Sequence, residues 1–158
     1  TSTSNVTLER IAFGSCNKQK FQQPLWPVIA SFRPQLWLWM GDAAYIPPPG
    51  SVAQVREALA TQRAVPAYTA FLDSLVAERS GSAGGGGIGT IVEGVFDDHD
   101  YGINDSGGDV PDREGRKNAF LDFLGVPTEP SRDRRRSIGA AGLYSAHDFG
   151  AAPRKVRV

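Results

Sequence analysis

The sequence predicts an α/β fold on two observations. Short apolar runs, each broken off by glycine or polar turn residues, alternate with stretches whose apolar residues recur at helical spacing. Three of the apolar runs also end in side chains capable of chemistry, as expected where the carboxyl ends of strands meet at one edge of a sheet.

Residues 8–13 (LERIAF) read as a buried strand stopped by Gly14 and Ser15. Residues 24–32 read as a helix that opens at Pro24 and places Leu25, Val28, Ile29 and Phe32 on one face. LWLWM at 36–40 is a second buried strand, running directly into Gly41-Asp42. After the stiff turn 47–50, Ser51 is placed to cap a helix carrying Val52, Val55 and Leu59. A further helix follows Pro66, with Tyr68, Phe71, Leu72, Leu75 and Val76 in register. GSAGGGGIG at 81–89 is a flexible surface loop, without the Gly-Lys-Ser/Thr ending of a phosphate-binding loop. Residues 91–96 make a third strand. A helix over 114–124 ends at Gly125, with Pro127 beyond it.

At 158 residues and 41% hydrophobic, the chain is long enough for one ordinary domain with a real core. A net charge of zero supports neither nucleic-acid nor anionic-membrane binding, and no apolar run is long enough for a transmembrane segment. TSTSNVTLER at the start is not a signal peptide. The single cysteine excludes an internal disulfide and leaves a redox role for Cys16 without a partner thiol. At the other end, APRKVRV reads as a strand that reaches Val158 with no turn or cap. The expectation is therefore that residues 1–158 are the N-terminal part of a larger domain.

Charge is unevenly spread. Residues 93–110 hold six acids and no Lys or Arg, whereas 111–158 hold ten basic and six acidic residues. The densest stretch is VFDDHDYGINDSGGD at 95–109, in which five aspartates surround His99. Carboxylates so crowded repel one another unless a cation joins them. The other strand ends supply Gly14-Ser15-Cys16-Asn17 and Gly41-Asp42-Ala43-Ala44-Tyr45. Thiolate, carboxylate, phenolate and imidazole are all metal ligands when deprotonated. Taken singly, Cys16 reads as a buried small apolar residue and Tyr45 as a packing residue; the coincidence of all three strand ends is what points to a site. Arg134–Arg136 reads as a solvated basic face, and His147-Asp148 as a surface turn.

FGSCN at 13–17, GDAAY at 41–45 and DDHDYGIND at 97–105 together resemble the PhoD-like (alkaline phosphatase D) family of metallophosphatases, as do FLDFLGVP at 120–127 and the basic segment before GLYS at 142–145. The resemblance implies a β-sandwich of two mixed sheets flanked by helices, only partly present in this chain. It implies hydrolysis of phosphate mono- or diesters by a metal-activated water, with iron(III) and calcium as cofactors. By residue, it makes Cys16 an iron ligand, Asp42 a carboxylate bridging two metals and Tyr45 a phenolate ligand. The resemblance also makes Asp98 a metal-binding residue and Asn104 a further candidate for the calcium side, and it sets His99 beside the substrate phosphate. Iron(III) suits anionic thiolate and phenolate ligands, and calcium suits oxygens from Asp and Asn. The resemblance also favours a secreted or periplasmic location.

The chain departs from the family pattern in three places. Phe96 stands where the family has Trp, Ile46 and three prolines stiffen the loop after Tyr45, and the further Asp and His ligands of the family's second half are not found. The alternative expectation is a non-catalytic metal-binding fragment or pseudoenzyme.

Overall fold

A computed structural model of the chain describes residues 2–4, 7–80, 92–130, 132–139 and 142–158, leaving out the side chains of 2–4 and 76–80. The glycine-rich segment 81–89, Ile91 at the head of the third expected strand and the side chain of Val76 lie outside that description.

The strands are β1 (Ser2–Ser4), β2 (Ile11–Gly14), β3 (Leu36–Met40), β4 (Val92–Val95), β5 (His147–Phe149) and β6 (Val156–Arg157). The helices are α1 (Trp26–Ser31), α2 (Val52–Arg63), α3 (Pro66–Ser80), α4 (Asp98–Tyr101) and α5 (Arg113–Leu124), with a 3-10 turn at Arg134–Arg136. Strands β2, β3 and β4 form a parallel sheet in that order, Phe13 pairing with Leu38 and Met40 with Val95. A second sheet has the order β1-β5-β6, β5 running parallel to β1 and antiparallel to β6. The fold is mixed α/β, as the alternation of runs predicts.

Local signals account for the helix ends. Ser51 and Gln54 form a capping box at the start of α2, each side chain bonding the other's backbone N–H. Gly125 closes α5 in the left-handed conformation (φ 78°), which costs glycine least. The acidic stretch is less loop-like than expected. Asp97 caps the single turn α4, accepting from the Asp98 N–H at 2.9 Å, while Asp100 reaches back to the Asp97 N–H at 3.2 Å.

The main core lies on one face of the parallel sheet. Trp37 and Trp39 meet Trp26 of α1, Tyr68 and Phe71 of α3 and Phe123 of α5, with ring centroids 4.7–6.3 Å apart. Trp39 also donates from Nε1 to the Tyr68 hydroxyl at 3.1 Å. β4 crosses this layer at Gly94, where a Cβ would come within 2.5 Å of the Trp39 carbonyl oxygen. The opposite face is differently covered. Leu36 packs with Leu8 and Phe149 beside the second sheet, but Phe13 is 71% exposed, with Met40 and Val95 about half exposed along the same face. The first expected strand is thus shorter than 8–13 and only partly buried, through Ala12 and Gly14 on one side. Leu8 belongs to the smaller cluster, and Ile11 and Phe13 face outward.

Three further expectations are corrected. Helix α1 starts at Trp26, and the stripe of Leu25, Val28 and Phe32 faces solvent, Phe32 being 70% exposed. Burying the Trp26 indole against four other rings gains more apolar area than burying that stripe, so it decides the rotation of the helix. Arg135 and Arg136 are buried rather than solvated. Arg135 bridges Glu93 (2.7 Å) and Asp133 (2.8 Å), and Arg136 donates to the carbonyls of Val126 (2.7 Å) and Pro127 (3.1 Å). His147-Asp148 is not a surface turn but the start of β5. Asp148 is buried and accepts from Arg157 at 2.6 Å and Lys155 at 3.0 Å.

Candidate metal centre

Because β2, β3 and β4 are parallel, their carboxyl ends deliver three loops to one edge of the sheet. The first loop is tied to the second by backbone and amide groups. The Asn17 N–H donates to the Asp42 carbonyl at 2.8 Å, and its carboxamide donates to the Ala43 carbonyl at 3.0 Å and to Gln62 at 2.7 Å. The Gln19 side chain pairs both ways with the Tyr45 backbone, accepting from its N–H at 2.9 Å and donating to its carbonyl at 2.7 Å. Sequence reasoning gave Asn17 no role beyond its place at the strand end and passed over Gln19 and the fully buried Gln62. The one available signal was a glutamine on the apolar side of α2.

Gly41 (φ 94°) and Asp42 (φ 52°) turn the chain sharply after β3. A Cβ on Gly41 would lie 2.7 Å from the Asp97 Cβ, so glycine lets the second and third loops touch. Asp42 is 8% exposed. Its Oδ2 accepts from the Tyr45 hydroxyl at 2.8 Å, and its Oδ1 is buried with no donor among the described residues. Burial holds the Tyr45 phenol well above its ordinary range, with the Asp42 carboxylate and then Cys16 adding to the rise. That electrostatic contact places Cys16, which is exposed rather than buried, beside Tyr45.

The third loop presents Asp98 and His99 from α4. Asp98 accepts from the N–H groups of Asp105 (2.5 Å) and His99 (2.9 Å), and those bonds hold its carboxyl below the usual range. The His99 ring lies 4.2 Å from the Tyr45 ring, and its Nδ1 is buried with no partner among the described residues. Beneath them Asp100, with 0% exposure, accepts from the Ala44 N–H at 2.9 Å. Burial, with the Asp42 charge adding, pushes the Asp100 carboxyl up to about 7.

One ligand atom each from Asp42, Asp98 and His99 falls within 4.8 Å of the others. Of the residues expected from sequence, Cys16, Asp42, Tyr45, Asp98 and His99 are brought to this edge. Asn104 is exposed, and its carboxamide donates to Asp105 at 2.7 Å. A buried carboxylate oxygen without a donor and a buried imidazole nitrogen without a partner are each costly as they stand. A cation within reach of both would relieve them, and the oxygen, nitrogen and sulfur donors present fit a hard or borderline metal ion.

No described helix is long and apolar enough to cross a membrane. No family model matches this chain, and neither does any curated protein or solved structure.

Proposed function

We propose that this chain carries the metal site of a phosphoesterase of the PhoD-like type, acting on phosphate mono- or diesters. The observation that carries the reading is the meeting of Asp42, Asp98 and His99 within 4.8 Å, with Asp42 Oδ1 and His99 Nδ1 both buried and unpaired among the described residues. Cys16, Tyr45 and Asp42 would hold iron(III), and Asp98 with Asn104 would hold calcium. In a complete domain of this type the two sheets belong to a metallophosphatase-type sandwich. When bound, such ions supply Lewis acidity toward the phosphate oxygens and acidify a coordinated water.

The chain's own residues divide the remaining work. Asp42 presents one oxygen to Tyr45 and keeps the other available, which suits a bridging carboxylate. Asn17 and Gln19 lock the first loop onto the second, so Cys16 and Tyr45 keep their separation without rearranging. His99 is backed by the Tyr45 ring; with its buried Nδ1 turned toward the cation, its Nε2 would be left to donate a proton to the departing alkoxide or a hydrogen bond to the phosphate.

The alternative is a metal-binding module without turnover, favoured by the side chain of Asn104 engaging Asp105. Hydrolysis of p-nitrophenyl phosphate and bis-p-nitrophenyl phosphate, with and without calcium and beside iron analysis, separates the two. Metal-dependent turnover lost in His99→Ala supports the enzyme. Stoichiometric metal without turnover supports the module, and absence of both metal and turnover overturns the site.

A further inference from the structure

A cleft of about 670 Å³ opens beside Asp98, between the loop that follows α4 and the first turn of α5. Pockets of ~300–1,000 Å³ hold whole small molecules, so a phosphate group alone leaves most of this space unfilled. One wall is apolar: Phe96 and Tyr101 stack with centroids 4.6 Å apart. Gly108 also lines the cleft and is exposed, and an added Cβ there would meet nothing within 4 Å. Arg113 also lines the cleft, near enough to Tyr101 that its charge opposes the rise that burial imposes on the phenol.

The charges on the lining are mostly committed. Asp98 accepts from two backbone N–H groups and belongs to the metal group. Glu114 holds Lys117 at 2.8 Å. The Arg113 side chain is exposed and makes no hydrogen bond or ion pair with another described residue. A guanidinium at the rim of an apolar cleft is suited to a carboxylate or phosphate, which it binds through two parallel N–H bonds.

We infer that this cleft receives the alcohol arm of the phosphate ester, and that it selects an arm with a flat apolar body and an anionic substituent bound by Arg113. The inference rests on the phosphoesterase reading for the position of the phosphate, since the cleft begins at Asp98. It names the substrate class that the metal group leaves open.

Two readouts on the iron- and calcium-loaded protein test the assignment. In turnover, the ratio of kcat/KM for para-carboxyphenyl phosphate to that for phenyl phosphate should fall about tenfold in Arg113→Gln, and Arg113→Lys should keep part of the preference. Comparing variants cancels the difference in leaving-group chemistry. In binding, para-carboxyphenyl phosphonate should bind more tightly than phenyl phosphonate, and Arg113→Gln should erase that difference. The binding readout does not require hydrolysis, so selective binding without turnover overturns the enzyme reading and upholds the cleft. Equal ratios in wild type and Arg113→Gln, or equal binding of the two phosphonates to wild type, overturn the assignment.

Discussion

The Tyr45 hydroxyl donates a 2.8 Å hydrogen bond to Oδ2 of Asp42 and leaves Oδ1 of the same carboxylate buried with no donor among the described residues. One half of the carboxylate is thus satisfied by a phenol, and that phenol resists ionising because burial and the Asp42 charge both oppose it. A cation at Oδ1 would reverse the second effect and pull the phenol toward its anionic form.

Iron(III) bound by Tyr45 and Cys16 should therefore give a coloured protein through ligand-to-metal charge transfer. Tyr45→Phe is expected to shift or abolish the absorption band while leaving far-UV circular dichroism unchanged. At this chain length a 1 kcal/mol loss moves Tm by about 2–4 °C, so a drop much beyond that would point to a structural role instead. A colourless, iron-free and fully active wild type would remove both residues from the ligand set.

Gly41→Ala addresses the contact between the second and third loops. The added methyl would approach the Asp97 Cβ at 2.7 Å from a backbone at φ 94°. We expect a cost of about 1–3 kcal/mol in urea unfolding and at least a tenfold loss of metal affinity, because the loops must part. Gly108→Ala, whose methyl meets nothing within 4 Å, should leave the unfolding midpoint unchanged.

Asp100 makes the stability of the metal-free protein depend on pH. Folded, its carboxyl is pushed up to about 7. Unfolded, an aspartate ionises at about 3.9. Between these values the folded chain keeps a proton that the unfolded chain has lost, so the contribution of this group falls as pH rises from about 4 to about 7. The span of about three units caps the effect at ~4 kcal/mol. Asp100→Asn should flatten the pH dependence of the urea midpoint across that window, apart from any uniform shift from altered hydrogen bonding. An unchanged slope would assign the titration to another group.

Glu93 on β4 behaves in the opposite sense. Burial pushes its carboxyl up, but hydrogen bonds from His147 and Arg135 outweigh that and hold it below the ordinary value. Its contribution is present above the ordinary glutamate range and is lost as pH falls through the depressed value. Arg135→Met strips Glu93 and Asp133 of a guanidinium 2.7–2.8 Å away and should cost about 3–5 kcal/mol in urea unfolding. Adding Glu93→Gln should recover part of that loss, because one of the two uncompensated charges is gone. A double variant less stable than Arg135→Met would show that the pair is not what couples β4 to the 3-10 turn.

By itself the sequence determined the features closed within a few residues. The Ser51–Gln54 capping box, the left-handed Gly125, the strand Leu36–Met40 and the delivery of Cys16, Asp42, Tyr45, Asp98 and His99 by three strand ends all follow from local hydrogen bonding and periodicity. Tertiary structure decided what depends on competition between distant groups. Trp26 outcompeted Leu25, Val28 and Phe32 for the core, because one indole among four rings gains more than a stripe of smaller side chains. Arg135 and Asp148 are buried because Glu93, Asp133, Lys155 and Arg157 come to meet them. The lock of Asn17 and Gln19 exists only once the first two loops share an edge, and the cleft beside Asp98 only once α5 packs against the third loop. No local pattern encodes them, since each depends on groups that the chain brings together only by folding.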